Sequence, residues 1–142
     1  MTISITLYIT ILTVAISILA MYNDELMDKL IFHPYTVRNH NEWYRFISSG
    51  FIHADFMHLA FNMFSLYMFG DYVEQYFKMI FGSMGNTLYI ILYISALLIC
   101  LVPTYLNHYK QYNYQSLGAS GAVSAIVFAG IFLQPTIQIG FF

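Results

Sequence analysis

The sequence predicts an all-α, polytopic membrane helix bundle, and three observations carry that expectation. Of 142 residues, 59% are hydrophobic and 8% charged, against roughly a quarter charged in soluble domains. Four apolar stretches are long enough to be helical spans: Ile3 to Tyr22, Phe51 to Phe69, Thr87 to Leu106 and Leu117 to Leu133, with a fifth starting at Ile137. Polar segments separate them, at Asn23 to Ser49, around Asp71 to Lys78 through Asn86, and at Asn107 to Ser116, and these read as interhelical loops. No internal repeat or second domain is visible, so residues 1–142 form a single membrane domain. The balance of 5 Lys+Arg against 7 Asp+Glu leaves no basic surface for nucleic acid. Cys100, the only cysteine, sits in an apolar run, which excludes a disulfide framework and a cysteine zinc site.

The first stretch has no basic residue before it and no A-x-A pattern in Ala20-Met21-Tyr22-Asn23. It therefore reads as a retained anchor, not a signal peptide, and about 20 residues suffice to span a hydrocarbon core. Thr2, Thr6, Thr10, Thr13 and Ser17 fall on one helix face. Either that face points into a bundle, where hydroxyls bond across helices, or each hydroxyl bonds its own i−4 carbonyl and faces lipid.

The second stretch crowds His53, Asp55, His58 and Asn62 into its first third. Strongly polar groups at membrane depth are costly and face a protein interior or a wet cavity. Asp55 fits an N-cap, placing Phe56 to His58 in the first turn. His58 and Asn62, four apart, then stack about 6 Å apart on one face, whereas His53 precedes the helix and need not share it. Catalysis and interhelical hydrogen bonding both account for this pair.

The fourth stretch opens Ser116-Leu117-Gly118-Ala119-Ser120-Gly121-Ala122. Gly118 and Gly121 permit tight backbone geometry, and a helix N-terminus offers unpaired N–H groups that stabilise an oxyanion. Ser120 is placed to be a nucleophile there, although serine is also a routine N-cap. Gly121, Ala125 and Ala129, with Gly118 and Ala122 alongside, form a small-residue stripe that allows close helix approach and puts this helix at the centre of the bundle. Because each span reverses direction, the second and fourth helices start from the same side, so Ser120 can meet His58 and Asn62. An imidazole, an amide and a backbone N–H beside a serine are the parts of an oxyanion hole for acyl transfer.

In order, Glu42-Trp43-Tyr44-Arg45, His53-x4-His58-x3-Asn62, Gly70-x3-Glu74 and Gly118-Ala119-Ser120-Gly121-Ala122 resemble the rhomboid-family pattern of a W-R first loop, a His/His/Asn second helix ending G-x-x-x-E, and a G-x-S-G nucleophile. The resemblance covers roughly Glu42 to Gly130. It implies a six-helix, multi-pass protein of the cell membrane that cleaves transmembrane protein substrates within the lipid bilayer, using a Ser-His dyad with no metal and no cofactor. By position, Ser120 is the nucleophile and His58, Asn62 and the Ser120 N–H stabilise the oxyanion. His53, Gly118, Gly121 and Arg45 are supporting residues, with Arg45 and Glu42 making structural hydrogen bonds in the first loop. A tyrosine separates Trp43 from Arg45, which are adjacent in the commoner pattern. The resemblance also implies that the general-base histidine lies in a Gly-His motif on a sixth helix, after Phe142. Four spans and the start of a fifth are present, and residues 1–142 alone are expected to be inert.

Rival readings have separate signatures. A catalytically inactive rhomboid-like scaffold would bind clients without cutting them, and a missing downstream Gly-His would favour it. A metal protein built on His33, His40, His53 and His58 lacks an H-E-x-x-H, and its activity would respond to chelators. A transporter would need paired broken spans, which are not seen. Orientation is contested: Lys29, Arg38, Arg45 and Lys110 on one side against Lys78 on the other favour a cytoplasmic first loop, whereas the resemblance implies the reverse.

Overall fold

A computed structural model describes residues 4–133. Thr2 of the polar stripe and the fifth apolar segment at Ile137 lie outside the described residues. Among the described residues seven α-helices follow in order: α1 Ile5–Met21, α2 Asp24–Leu30, α3 Pro34–His40, α4 Arg45–Ser48, α5 Phe56–Phe81, α6 Gly85–His108 and α7 Ser120–Leu133. Short 3₁₀ turns at Ser49–Phe51 and Gly82–Met84 lead into α5 and α6. No strand occurs among the described residues. One isolated antiparallel bridge joins Phe32 to Ser116.

Local chemistry explains the boundaries. Ser4 Oγ accepts the Leu7 N–H at 3.2 Å and Asn23 Oδ1 accepts that of Leu26 at 3.0 Å, capping α1 and α2. Asp24 and Glu25 open α2 and Lys29 closes it, complementing the helix dipole. Pro34 starts α3, and Asn41, left-handed at φ 59°, stops it. Asp55 caps α5 as expected, its Oδ1 accepting the His58 N–H at 2.7 Å.

Two segments expected to be loops are helical. Between Asn23 and Ser49 the chain folds into α2, α3 and α4; Asn23 starts α2, Pro34 and Asn41 bound α3, and α4 runs on into the 3₁₀ turn at Ser49 without a side-chain cap. The polar run from Asp71 to Lys78 continues α5. Gln75 donates to Asp71 and Lys78 to Glu74, both at 2.6 Å and four residues apart. Glu74 is also fully buried. Its carboxylate accepts the N–H groups of Ile5 at 3.1 Å and Thr6 at 2.9 Å, plus the Thr6 hydroxyl at 3.0 Å, so it ties α5 to the first turn of α1. A polar residue that answers a helix N-terminus belongs in the bundle.

By length and composition, one helical run among the described residues, Phe56–His108, is long and apolar enough to cross a membrane; α1 and α7 are shorter apolar helices. Gly82 divides the run into α5, of 26 residues, and α6, of 24. At 1.5 Å per residue each is about 36–39 Å long, beyond the roughly 30 Å of a hydrocarbon core.

α5 packs against α1, α6 and α7, and α7 packs against α5 and α6. The expected central helix was the fourth stretch, but among the described residues α5 holds the centre. The buried track of α7 is Ala122, Ile126 and Gly130, while Gly121, Ala125 and Ala129 are only half-buried. The opposite face, Ser120, Ser124 and Phe128, is exposed. Tyr89, Tyr93 and Leu97 of α6 join Leu59, Met63 and Leu66 of α5 and Val123 and Ile126 of α7 in one core. Both readings of the α1 stripe are realised. Thr10 bonds the Thr6 carbonyl at 2.8 Å, whereas the buried Thr6 and Ser17 reach across to Tyr89 and His53.

Candidate active site

The segments that precede α3 and α7 meet at one end of the bundle. Phe32 and Ser116 exchange two backbone hydrogen bonds of 2.9 Å, pinning the segment before α7 to the segment between α2 and α3. The Gly118 N–H donates to the Ser49 carbonyl at 2.9 Å, and His33 Nε2 lies 2.5 Å from the Tyr112 carbonyl. Thus Ser120 starts α7 from a segment held by backbone contacts that residue types alone do not announce.

Asn62 and Ser120 line one cleft of about 220 Å³ between α5 and α7, with Phe61, Ser65, Val123, Ser124, Val127 and Phe128. Asn62 is 7% exposed and Ser120 is open. The Asn62 amide donates to the His58 carbonyl at 2.9 Å, leaving its second N–H for another acceptor. The first i→i−4 bond of α7 runs from the Val123 N–H to the Ala119 carbonyl. The N–H groups of Ser120, Gly121 and Ala122 precede it and have no carbonyl to bond in their own helix. A larger polar hollow of about 550 Å³, between α2, α3, α4 and residues 112–115, does not include Ser120.

His58 does not line that cleft. Its imidazole lies against Gly118, where an added Cβ would come 2.9 Å from Cε1 and 3.2 Å from Nε2. Gly118 also has φ 112°, which side chains rarely adopt, so backbone conformation and the close imidazole both require glycine. Gly121 serves packing: a Cβ there would sit 2.3 Å from the Cys100 sulfur on α6.

The sequence left open whether His53, which precedes the helix, shares the His58 face. The extended residues before α5 bring the two rings together edge to face, with centroids 5.0 Å apart. His53 is fully buried, Nδ1 lying 3.3 Å from Ser17 Oγ and Nε2 accepting the Ala119 N–H at 3.5 Å. Among the described residues, no group of three or more His, Cys, Asp and Glu could hold a metal ion. Arg45 is 7% exposed, donating to Glu42 at 2.5 Å and to the carbonyls of Asp28 at 2.6 Å and Ile31 at 2.7 Å. This guanidinium holds the Glu42 carboxyl below its usual range. Ser65, Ser124 and Phe128 were not singled out, although Ser124 follows Ser120 by four and Ser65 follows Asn62 by three, both same-face spacings.

The Rhomboid domain model matches residues 40–142, most of the chain. The chain belongs to the rhomboid family. YdcA of Bacillus subtilis (strain 168), provisionally named a rhomboid protease, is 29% identical over 92 residues, covering 65% of this chain and 41% of the relative. Rhomboid-like protein 11, chloroplastic, of Arabidopsis thaliana is 44% identical over 41 residues, 29% of this chain and 15% of the relative. The chain thus spans less than half the length of these relatives. Rhomboid proteins are integral membrane proteins, and the family is generally one of intramembrane serine proteases.

Proposed function

We propose that this rhomboid chain carries the nucleophile and oxyanion half of an intramembrane serine endopeptidase that cuts membrane proteins in or near their transmembrane segments. The observation that supports it most is Ser120 at the first turn of α7, in one cleft with the buried Asn62 amide. In this mechanism Ser120 Oγ attacks the scissile carbonyl while its proton passes to an imidazole. The developing oxyanion takes hydrogen bonds from the Ser120 N–H and the free Asn62 N–H. The His58 imidazole, which packs on Gly118 and does not line the cleft, is assigned to the same oxyanion side. Collapse of the tetrahedral adduct expels the amine and leaves an acyl-serine for water to hydrolyse.

Among the described residues no imidazole is hydrogen-bonded to Ser120 Oγ. His53 is engaged by Ser17 and Ala119, and His58 packs on Gly118. The general base is assigned, as the rhomboid resemblance implies, to a histidine on a later helix of the family fold, and the exposed Ser120, Ser124 and Phe128 face is open for the segment that brings it. Metal and cofactor have no role in this scheme. The protein is placed in the cell membrane, with α1, α5, α6 and α7 as four spans of a multi-pass bundle. The first loop is assigned to the extracytoplasmic side, because Asp24, Glu25, Asp28 and Glu42 offset its cations.

Reaction of the purified full-length protein with a fluorophosphonate probe, alongside a transmembrane substrate, tests the scheme. Labelling and cleavage that both vanish in Ser120→Ala are expected. A catalytically inactive scaffold would give neither in the wild type.

A further inference from the structure

The polar stripe of α1 lies on the far side of His53 from the nucleophile, and the proposed reaction leaves it without a task. Yet Ser17 Oγ is 3.3 Å from His53 Nδ1, the other ring nitrogen is 3.5 Å from the Ala119 N–H, and Ser17, His53 and Ala119 are all fully buried. A backbone N–H can only donate, so Nε2 must be the bare nitrogen and the ring proton must sit on Nδ1, where Ser17 Oγ accepts it. The opposite tautomer would aim Nε2–H at the Ala119 N–H. That would leave a buried donor without a partner.

We infer that Ser17 is a positioning residue of the active site. By accepting the Nδ1 proton it holds the His53 ring, which in turn fixes the backbone N–H immediately before Ser120 and the edge-to-face seat of His58. Three observations converge on this. His53 contacts both proposed elements of the site, the segment before the nucleophile and the His58 ring. Gly118, between them, has a left-handed φ and no room for a Cβ, so this stretch cannot shift freely. Ser17 is the α1 residue that closes the chain of contacts from the other side. No proton is transferred through this chain in the reaction. It sets geometry, and it rests on the proposed role of Ser120.

The test joins kinetics to a direct reading of the tautomer in the full-length protein in lipid nanodiscs. With ¹⁵N-labelled histidine, His53 should show a protonated Nδ1 and a bare Nε2 in the wild type. In Ser17→Ala the Nδ1–H signal should broaden or shift. Its kcat should fall about tenfold to a hundredfold, the scale expected when a reacting group is misplaced by a fraction of an ångström to an ångström, with KM little changed. Ser17→Thr, which keeps the hydroxyl, should restore both. Where Ser17→Ala does not fold, the near-isosteric Ser17→Cys, a weaker acceptor, and the wild-type tautomer decide. A wild-type His53 protonated on Nε2 overturns the inference, as does a variant whose kcat is unchanged or falls with no change at Nδ1. Absence of Ser120 labelling in the wild type would instead strike the proposed function.

Discussion

A serine hydroxyl keeps its proton near neutral pH, so the weight carried by Ser120 depends on what surrounds it. Ser120→Ala should abolish turnover while leaving membrane insertion intact, since it removes one exposed hydroxyl and opens no large void; activity and extraction yield measured together check this. Asn62→Ala should lower kcat by roughly a hundredfold if its amide is a dominant oxyanion donor, and less where the other donors compensate. The places of these two residues on α7 and α5 could be read from the sequence because their spacings encode helix faces and ends. His53 could not be placed that way. Its ring is brought to His58 by the extended residues before α5, and no periodicity describes such a stretch.

Among the elements, α7 shows what residue patterns convey and what they leave out. Small residues signalled close packing, and Gly121 does meet Cys100. The buried track, however, runs through Ala122, Ile126 and Gly130, because burial is decided by where α5 lies and not by residue size. Gly121→Ala should cost about 1–3 kcal/mol of stability by overpacking, seen as a lowered Tm. Cys100→Ala in the same chain should recover part of it, not all, since the Cys100 Cβ is also within 2.7 Å of the new methyl. Gly118→Ala should lower both Tm and activity, with backbone strain alone costing on the order of 1–3 kcal/mol. The helical run from Asp71 to Lys78 was hidden for another reason. Its charged residues resemble a loop until α1 is in place to supply the N–H groups that Glu74 accepts.

For the whole molecule, the segments joining α1 to α5 and α6 to α7 form one platform beneath the nucleophile, and Arg45 with Glu42 fastens its first half. Because the folded Glu42 pKa is depressed by Arg45, the stability it contributes is present above the unfolded carboxylate pKa and is lost as pH falls through the lower folded value. Wild type should therefore melt above Glu42→Gln at neutral pH, and the two curves should converge on acidification; parallel curves would deny the pair a role. An accessibility tag near Asn39 should read as extracytoplasmic, and a cytoplasmic reading would reverse the assigned orientation. The family and the all-helical fold could be read from the sequence. The bridge between Phe32 and Ser116 could not, because it depends on backbone pairing between distant residues, and the three short helices, of seven, seven and four residues, are too brief to show an apolar period. The central claim is that Ser120 is an acylated nucleophile. Fluorophosphonate labelling of the active full-length protein, followed by peptide mapping, tests it most directly: the adduct should fall on Ser120 and block cleavage, whereas an adduct on another residue, or cleavage that persists in Ser120→Ala, would contradict it.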